Sequence, residues 1–326
     1  MNTPTEPLFL FQYILSPTAN VRLSPDTQAD QPEDPEACLW QHLDLSKAES
    51  YPWLNESAGV DPVIVEALAA QETRPRSFTH KQGILVVLRG VNTNPGHNPE
   101  DMVSVRIWIE KNRIISSRNR RLLSVCDLAS SLDLDDGPHT SGEFLTDLIE
   151  RLADRIGDYV NRLEDELAEA EDRLEDNDAN DLRSRLGSLR RQIASVRRFL
   201  APQRDALDRM HYAENNIFTD HDRQRLREES DRISRYLEDL DLARERAIVL
   251  QEAFLSQLAQ QQNTRMYVLS VVAAIFLPLG FLTGLLGMNV GGLPGVESPY
   301  GFIFASLLMV TATLGLISFF KWKKWI

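Results

Sequence analysis

Two long stretches without charged side chains dominate the hydrophobic pattern of this chain. Met266–Met288 contains 23 residues and Gly301–Phe320 contains 20, and a helix needs about 20 apolar residues to cross about 30 Å of hydrocarbon. Both stretches therefore predict transmembrane helices, joined by an outer loop over residues 290–300. Neither fits a secretory leader, since both lie far from Met1 and no basic segment opens the chain.

Basic residues flank the two predicted spans on one side only. Arg265 precedes the first span, and the second is followed by Lys321, Lys323 and Lys324 in the tail 321–326. The loop between the spans has Glu297 but no Lys or Arg. The positive-inside rule then predicts that both termini lie in the cytoplasm and the loop outside, with membrane lipid around the two spans.

Residues 1–138 show a different pattern, with short apolar runs between turn residues, and predict an α/β domain. The predicted strands are Leu8–Leu15, Cys38–Leu45, Gly83–Val91, Val103–Ile109 and Arg113–Ser117. Apolar and polar residues alternate in Val103–Ile109, which predicts a half-buried strand. Asp61 and Pro62 predict a helix start, and 124–134 predicts another short helix. The breaker Asp135-Asp136-Gly137-Pro138 predicts the end of the domain.

From Thr140 onward the pattern is helical. Residues 139–218 predict a pair of cytoplasmic helices, the first beginning at a possible capping box formed by Thr140 and Glu143. A third helix is predicted from Thr219-Asp220. Because no Pro or Gly occurs between Asp220 and Leu277, this stalk, 219–265, is predicted to continue without a break into the first span, 266–289.

The stalk carries a heptad-like apolar seam. The residues that recur every seven positions are Leu226, Ile233, Leu240, Ala247 and Phe254. An adjoining stripe begins at Leu237 and reaches Leu258, but Arg244 and Gln251 interrupt it. The pattern predicts helix packing, and a reason for copies to associate, more than an ideal coiled coil.

Composition excludes several kinds of chemistry. The two cysteines, Cys38 and Cys126, lie far apart, and no glycine-rich nucleotide-binding motif occurs. The six histidines are scattered without metal-ligand spacing. We therefore predict no enzyme activity, no cofactor, and neither nucleotide nor nucleic acid as a partner. The net charge of −13 fits a soluble acidic surface or a field that attracts cations.

The chemistry of the spans leaves two interpretations open. Two spans cannot enclose a pore, so ion movement would require several copies around an axis, and a path would need water or backbone and amide oxygens. Ser270, Gly280, Thr283 and Gly284 interrupt the apolar residues, with Asn263 before them. Such small residues also mark tight helix packing, so an ion path and an oligomeric membrane anchor remain alternatives on this pattern alone.

A further pattern stands at the outer end of the first span. Gly287-Met288-Asn289, preceded by Ile275–Gly284 and followed by a second span and a basic tail, resembles the CorA superfamily of divalent-cation transporters. The next segment, Val290–Gly295, is most similar to the zinc-transporting ZntB branch. The specific resemblance covers residues 263–300, and the rest agrees in architecture.

The resemblance implies a funnel-shaped homopentamer whose first spans line a central pore. The positions that would face the pore are Asn263, Met266, Leu269, Leu277, Gly280 and Gly284. The outer mouth would be formed by Gly287, Met288 and Asn289, with Asn289 receiving the cation through its hydration shell. The outer loop would contribute Gly291, Gly292, Pro294, Gly295 and Glu297. The family commonly has Thr where this chain has Gly280, which removes a ring of hydroxyl groups.

The resemblance also implies divalent cations and further copies of this chain as partners. We expect Zn²⁺ uptake, with proton coupling as an open question, because no charged group lies in residues 266–296. Coupling would have to use Glu297, cytoplasmic groups or water. The alternatives are a CorA-type Mg²⁺ or Co²⁺ channel and a non-transporting oligomeric membrane scaffold.

Overall fold

The computed structural model of the chain describes residues 8–25, 29, 32, 34–71, 73–175, 181–288 and 299–323. The chain divides into two compact units, Met1–Gln251 and Glu252–Ile326. The first unit contains a mixed sheet with helices, and the second contains two long apolar helical segments. The predicted order, an α/β domain followed by long helices and two C-terminal apolar helices, is confirmed.

Seven strands form one sheet in the first unit. They are β1 (Phe9–Leu15), β2 (Val21–Arg22), β3 (Cys38–Asp44), β4 (Arg76–His80), β5 (Gly83–Gly90), β6 (Val103–Ile109) and β7 (Arg113–Arg118). Their order is β2-β1-β3-β7-β6-β5-β4. Only β3 and β7 pair in parallel, and the other neighbours are antiparallel.

The helices follow the predicted order along the chain. They are α1 (Ser50–Pro52), which runs into a π-helix over Trp53–Ser57, then α2 (Pro62–Ala69), α3 (Leu123–Asp133), α4 (Ser141–Glu175), α5 (Leu182–Tyr212), α6 (Asp220–Leu286) and α7 (Gly301–Trp322). Thus α6 is a single helix of 67 residues, as the absence of Pro and Gly before Leu277 predicted.

Both faces of the sheet are covered by helices. On one face, Trp53 and Leu68 pack in a cluster with Trp108 of β6. On the other, Trp40 of β3 lies 4.8 Å, between ring centroids, from Phe144 of α4. Since residues on both sides of the strands are removed from water, the sheet is the middle layer of three.

The prediction that Val103–Ile109 is half-buried is wrong. All seven residues of β6 are buried, because α2 and the segment after it cover the face that carries the polar residues. Arg106 on this face is fully buried, and its Nη2 donates to the carbonyl oxygens of Ala70 and Gln71. The edge strand β4 was not predicted, because its alternating, mostly polar residues resemble a loop.

The helix starts show how the local sequence sets the boundaries. The amide of Glu143 donates to Thr140 Oγ1 at 3.2 Å, while Glu143 Oε2 accepts from the amide of His139 at 2.8 Å, so the predicted capping box is displaced by one residue. At α6 the pair is reciprocal: Asp222 N donates to Thr219 Oγ1 and Thr219 N donates to Asp222 Oδ2. Such pairs satisfy amide groups that the first helical turn leaves open.

The seam of α6 is buried as predicted, and its second stripe follows a different course. Each of the five heptad residues is at most 5% exposed. The adjoining stripe does not stop at Arg244 and Gln251. After Leu237 the next buried apolar residues beside the seam are Ala243 and Leu250, while Leu258 is 40% exposed. Because Ala243 follows Leu240 by three residues, the buried apolar surface of α6 continues beside Arg244 and Gln251 and does not include them.

Glycine lets α6 approach α4 closely. A Cβ at Gly157 of α4 would overlap the hydroxyl of Tyr236 of α6, and that hydroxyl accepts a hydrogen bond of 2.7 Å from Arg232 Nε. A Cβ at Gly142 would lie 2.5 Å from Asp222 Oδ2. The two glycines therefore leave room for the side chains of Tyr236 and Asp222 against α4.

We predict that Gly157→Ala destabilises the first unit by about 1–3 kcal/mol, the usual range for overpacking. The added methyl group would push Tyr236 away from α4. The measurement is the thermal unfolding midpoint of the purified full-length protein in detergent, which should fall.

Gly187→Ala is the matched control, since a Cβ there meets only Arg191 Nη1 at 3.6 Å. Alanine is up to about 1 kcal/mol better than glycine inside a helix, so this midpoint should stay or rise. A rise for Gly157→Ala equal to that of the control would show that the close approach has no energetic weight.

Candidate functional site

The apolar parts of α6 and α7 are long enough to cross a membrane and are open to their surroundings. Their most apolar 18-residue windows have mean hydropathies of 2.3 and 2.2, and no part of either window is buried in the single chain. An apolar surface of this size requires lipid or other protein against it. The helical part of the first segment ends at Leu286, and α7 ends at Trp322, two residues beyond the predicted Phe320.

Three of the predicted pore-facing residues share one side of α6. Met266, Leu277 and Gly284 are separated by about three and five whole helical turns, so they fall within about 20° of one another around the axis. Met266, Leu269 and Leu277 are 67%, 69% and 74% exposed, and Asn263 is exposed as well. The sequence thus presents a mostly apolar face with the amide of Asn263 near its N-terminal end.

Gly280 lies at the edge of this face and opens onto a groove against α7. The groove is a cavity of about 480 Å³. Its lining residues are Phe276, Leu279, Gly280 and Thr283 of α6, with Met309, Val310, Thr313 and Leu314 of α7. A Cβ added at Gly280 would meet nothing within 4 Å. The absent side chain therefore widens the space between the two helices of one chain.

The hydroxyl groups in these helices bond to their own backbone. Ser270 Oγ donates to the Met266 carbonyl at 2.8 Å, and Thr283 Oγ1 donates to the Gly280 carbonyl at 3.0 Å. Thr313 of α7 donates to Met309 in the same way. Their hydrogens are committed inside the helix, as expected where no water is available. The oxygens of Ser270, Thr283 and Thr313 keep their lone pairs as acceptors.

The end of α6 depends on a glycine. Gly287 N donates to the Thr283 carbonyl at 3.0 Å, and a Cβ at Gly287 would lie 3.0 Å from that oxygen. The side chain of Met288 is half exposed. The other predicted mouth and loop residues lie outside the described residues: Asn289, Gly291, Gly292, Pro294, Gly295 and Glu297.

Within the described residues, no group of three or more His, Cys, Asp or Glu side chains could hold a metal ion. His42 is fully buried between strands, with Nδ1 2.7 Å from Ser116 Oγ. Burial lowers the pKa of His42 to about 3, so the ring is neutral at physiological pH. His42 thus has a structural hydrogen bond in the sheet.

A set of ion pairs between α4 and α6 was not predicted. Arg225 of α6 contacts Asp147 at 2.6 Å and Glu150 at 2.7 Å, and Arg232 contacts Asp154 at 2.6 Å. Their signal in the sequence is the seven-residue spacing of arginines on α6 opposite an acidic α4, which is recognisable only once the two helices are known to be neighbours.

One carboxylate beside these pairs is partly removed from water. Glu229 of α6 has a side chain 14% exposed, 3.6 Å from Arg232 Nη1. Burial raises the pKa of Glu229, while the neighbouring Arg232 lowers it and Glu150 and Asp154 raise it further. Glu229 therefore takes up a proton at a higher pH than an exposed glutamate does.

The model of the family described as "CorA-like Mg2+ transporter protein" matches residues 35–324 of this chain. A divalent cation transporter, CmaX of Pseudomonas aeruginosa, is 40% identical over 290 residues, which is 88% of this chain and 86% of that protein. The zinc transport protein ZntB of Yersinia enterocolitica is 34% identical over 306 residues, 93% of this chain and 91% of that protein.

The same similarity extends to a solved structure. The full-length CmaX protein has a TM-score of 0.84 with 35% identity, covering 99% of this chain and all of the CmaX chain. The arrangement described above is therefore shared with a full-length relative, including both apolar helices.

We predict that Leu307→Arg strongly reduces membrane integration. Leu307 lies within the apolar part of α7, about two turns after its start, and is 63% exposed. An arginine at the centre of a span costs about 2.5–3.5 kcal/mol on insertion scales, and an arginine at Leu307 would still be within the hydrocarbon. The measurement is the fraction of expressed protein that remains in carbonate-washed membranes.

Leu242→Arg is the control, since Leu242 is also exposed, at 56%, but lies on the polar part of α6. It should integrate like the unaltered protein. Equal integration of both variants would contradict the assignment of α7 as a span.

Proposed function

The chain belongs to the family of CorA-like Mg²⁺ transporter proteins, and we propose that its cargo is Zn²⁺, taken up through the central pore of a homopentamer. At the coarser level it is a divalent-cation transporter of the CorA and ZntB type, a membrane protein rather than an enzyme. The transported ion is the substrate, and the family uses no cofactor.

The observation that carries the zinc proposal is the segment at the end of α6. Gly287-Met288-Asn289 is followed by the glycine-rich Val290–Gly295, and ZntB of Yersinia enterocolitica is similar over 93% of the chain. Zinc prefers nitrogen and sulfur ligands, and the face of α6 that runs through Met266, Leu277 and Gly284 offers one thioether and otherwise hydrocarbon. Weak contacts favour passage of the ion over trapping.

Two physical arguments support several copies around an axis. Two helices cannot enclose a pore, and both apolar segments are fully open in the single chain. A divalent ion without polar neighbours would face a solvation cost of order 80 kcal/mol, the cost for a monovalent ion of order 20 multiplied by the square of the charge. A ring of helices that holds water between them removes most of that cost.

The proposed path runs along one face of α6. Asn263 would begin it, and the constrictions would be Met266, Leu269 and Leu277. Gly284 continues the face, and Gly280 lies about 40° from Gly284 around the axis, where it also borders the groove against α7. We propose that Gly280 acts mainly by leaving room between the helices rather than by binding an ion.

The outer mouth is proposed from the sequence. In a ring of copies, Asn289 would present amide oxygens to the hydration shell of the cation, and Gly287 and Met288 would form the turn that holds it. The loop residues Gly291, Gly292, Pro294 and Gly295 would keep the backbone close to the axis, and Glu297 would attract the ion.

We also propose the orientation and its consequences. Arg265, Lys321, Lys323 and Lys324 support an orientation with residues 1–265 and the tail 321–326 in the cytoplasm and the loop 290–300 outside. The α/β domain 1–138, the helical pair 139–218 and the stalk 219–265 then form the cytoplasmic part at the inner membrane.

Proton coupling would use groups outside the span. Among the described groups, Glu229 is suited to it, since it lies on the same helix and its pKa is raised by burial.

The first experiment is ion uptake into proteoliposomes of the purified protein, with Zn²⁺ compared with Mg²⁺ and with or without a pH gradient. We expect Zn²⁺ flux to exceed Mg²⁺ flux and to rise with an inward proton gradient. The family description names Mg²⁺. A Mg²⁺ flux that does not change when the pH gradient is applied would therefore favour a CorA-type Mg²⁺ or Co²⁺ channel. Absence of both fluxes would favour the scaffold.

We predict that Asn289→Ala reduces Zn²⁺ flux at least tenfold while the assembly stays intact, because the ring of amide oxygens at the mouth is lost. Flux in proteoliposomes and the mass of the detergent-solubilised complex would be measured together. Asn161→Ala is the control, since Asn161 is exposed on α4 and should leave flux unchanged. Normal flux in the Asn289 variant would refute the mouth assignment.

A further inference from the structure

A second cavity lies in the unit Met1–Gln251, where β5 and β7 end, β6 begins and α5 passes over them. Its volume is about 640 Å³, within the usual range for small-molecule sites. Three guanidinium groups line it, those of Arg89, Arg120 and Arg198, together with Ser195 and the ring of Phe199. None of these residues was singled out by the sequence patterns.

Arg89 is held rigidly at the wall of this cavity. Its Nε and Nη2 donate to the Thr73 carbonyl at 3.0 and 2.8 Å, and its Nη1 donates to the Met102 carbonyl at 2.6 Å. The guanidinium carbon lies 4.2 Å from the centroid of the Phe199 ring. The guanidinium group is thus fixed in place by two backbone carbonyls and an aromatic face, and a side chain held in this way is suited to a binding site.

Arg198 brings a second charge to the same ring, with its guanidinium carbon 5.5 Å from the Phe199 centroid. Neither Arg198 nor Arg120 makes an ion pair or a hydrogen bond with another described residue. Other arginines of α5 do: Arg185 pairs with Glu169 and Arg197 with Asp241. The two arginines of the cavity are therefore free to bind something else.

The helix α5, which passes over the cavity, is positively charged, whereas the chain as a whole is negatively charged. The whole chain has a net charge of −13, yet α5 carries eight arginines and two aspartates between Leu182 and Tyr212. Arg106 does not line the cavity but donates through Nη2 to the carbonyl oxygen of the lining residue Gln71. It is fully buried, and its Nε and Nη1 have no hydrogen-bond partner among the described residues. Burial, and then the charge of Arg89, lower the pKa of Arg106 to about 10.

Two carboxylates also border the cavity and bear on which ion it takes. Glu100 accepts a hydrogen bond of 3.2 Å from the hydroxyl of Tyr159, and Asp101 is exposed at the rim. A divalent cation at these two groups would be repelled by the three guanidinium groups on the same walls. An anion held by Arg120 and Arg198, beside the fixed Arg89, avoids that repulsion.

We propose that this cavity binds a phosphate group, as free phosphate or as the phosphate of a small metabolite, between Arg89, Arg120 and Arg198. The planar fork of arginine matches the oxygens of phosphate and can donate two parallel hydrogen bonds to them. The site lies on the unit Met1–Gln251 and is independent of the proposed cargo, so the cytoplasmic part would respond to an anionic metabolite.

The test is isothermal titration calorimetry on the full-length protein in detergent, with inorganic phosphate and glycerol 3-phosphate as separate probes. We expect saturable binding of at least one probe. Tighter binding of glycerol 3-phosphate would assign the site to a phosphorylated metabolite, and tighter binding of inorganic phosphate would assign it to the free ion.

Arg198→Gln and Arg120→Gln should each weaken this binding about tenfold or more, since each removes a charge-assisted contact. Arg198→Lys should retain part of the affinity, because it keeps the charge and loses the fork. Arg183→Gln is the matched control: Arg183 is exposed on α5 and outside the cavity, so binding should not change. Equal thermal unfolding midpoints would show that the variants are folded.

Three results would overturn the proposal. They are no binding of either probe, equal weakening by Arg183→Gln and Arg198→Gln, and a cation site in place of an anion site. The last would appear as Mg²⁺ binding that Glu100→Gln abolishes and Arg198→Gln strengthens. None of these results bears on Zn²⁺ flux through the spans, so failure here and failure of the proposed transport function remain distinguishable.

Discussion

The rest of the structure depends on one constraint, the pairing of backbone groups within the single long helix α6. The helix extends from Asp220 to Leu286 and passes from a polar sequence to one without charge. In hydrocarbon, each backbone amide and carbonyl must be paired inside the helix, because water is absent. Only Pro278 interrupts this ladder within the described span, and it frees one carbonyl about one turn earlier. The same helix thus satisfies its backbone groups both in its polar part and in its apolar part.

The unit Met1–Gln251 holds the polar part of this helix through packing and charge together. The buried seam removes apolar surface from water, and the step from Leu240 to Ala243 keeps it continuous past Arg244. Gly157 leaves room for the side chain of Tyr236 against α4, while Arg225 and Arg232 pair with acids of α4. Exposed ion pairs contribute little singly. The buried seam and the packing of Tyr236 over Gly157 therefore supply most of the stability, and the ion pairs mainly determine how α4 and α6 align along their length.

The cavity between α6 and α7 and the cavity lined by Arg89, Arg120 and Arg198 differ in how their polar side chains are hydrogen-bonded. Between α6 and α7, the hydroxyls of Thr283 and Thr313 turn back to their own helices, and the space at Gly280 stays apolar. At the end of the sheet, Arg89 is fixed by carbonyl groups while Arg120 and Arg198 stay open. The first arrangement suits helices that pack or shift in lipid, and the second suits a charged ligand in water.

The sequence by itself determined the features that depend on local pattern. The two spans, the continuous stalk, the heptad seam and five of the seven strands follow from runs of apolar residues and from the placement of Pro and Gly. The family followed from Gly287-Met288-Asn289 and its neighbours. Tertiary structure alone decided the burial of Arg106, the edge strand β4, the ion pairs of α6 and the cluster of arginines around Phe199. These features depend on which segments lie side by side, and a residue's own neighbours in the chain carry no information about a partner some 100 positions away, as between Arg89 and Phe199.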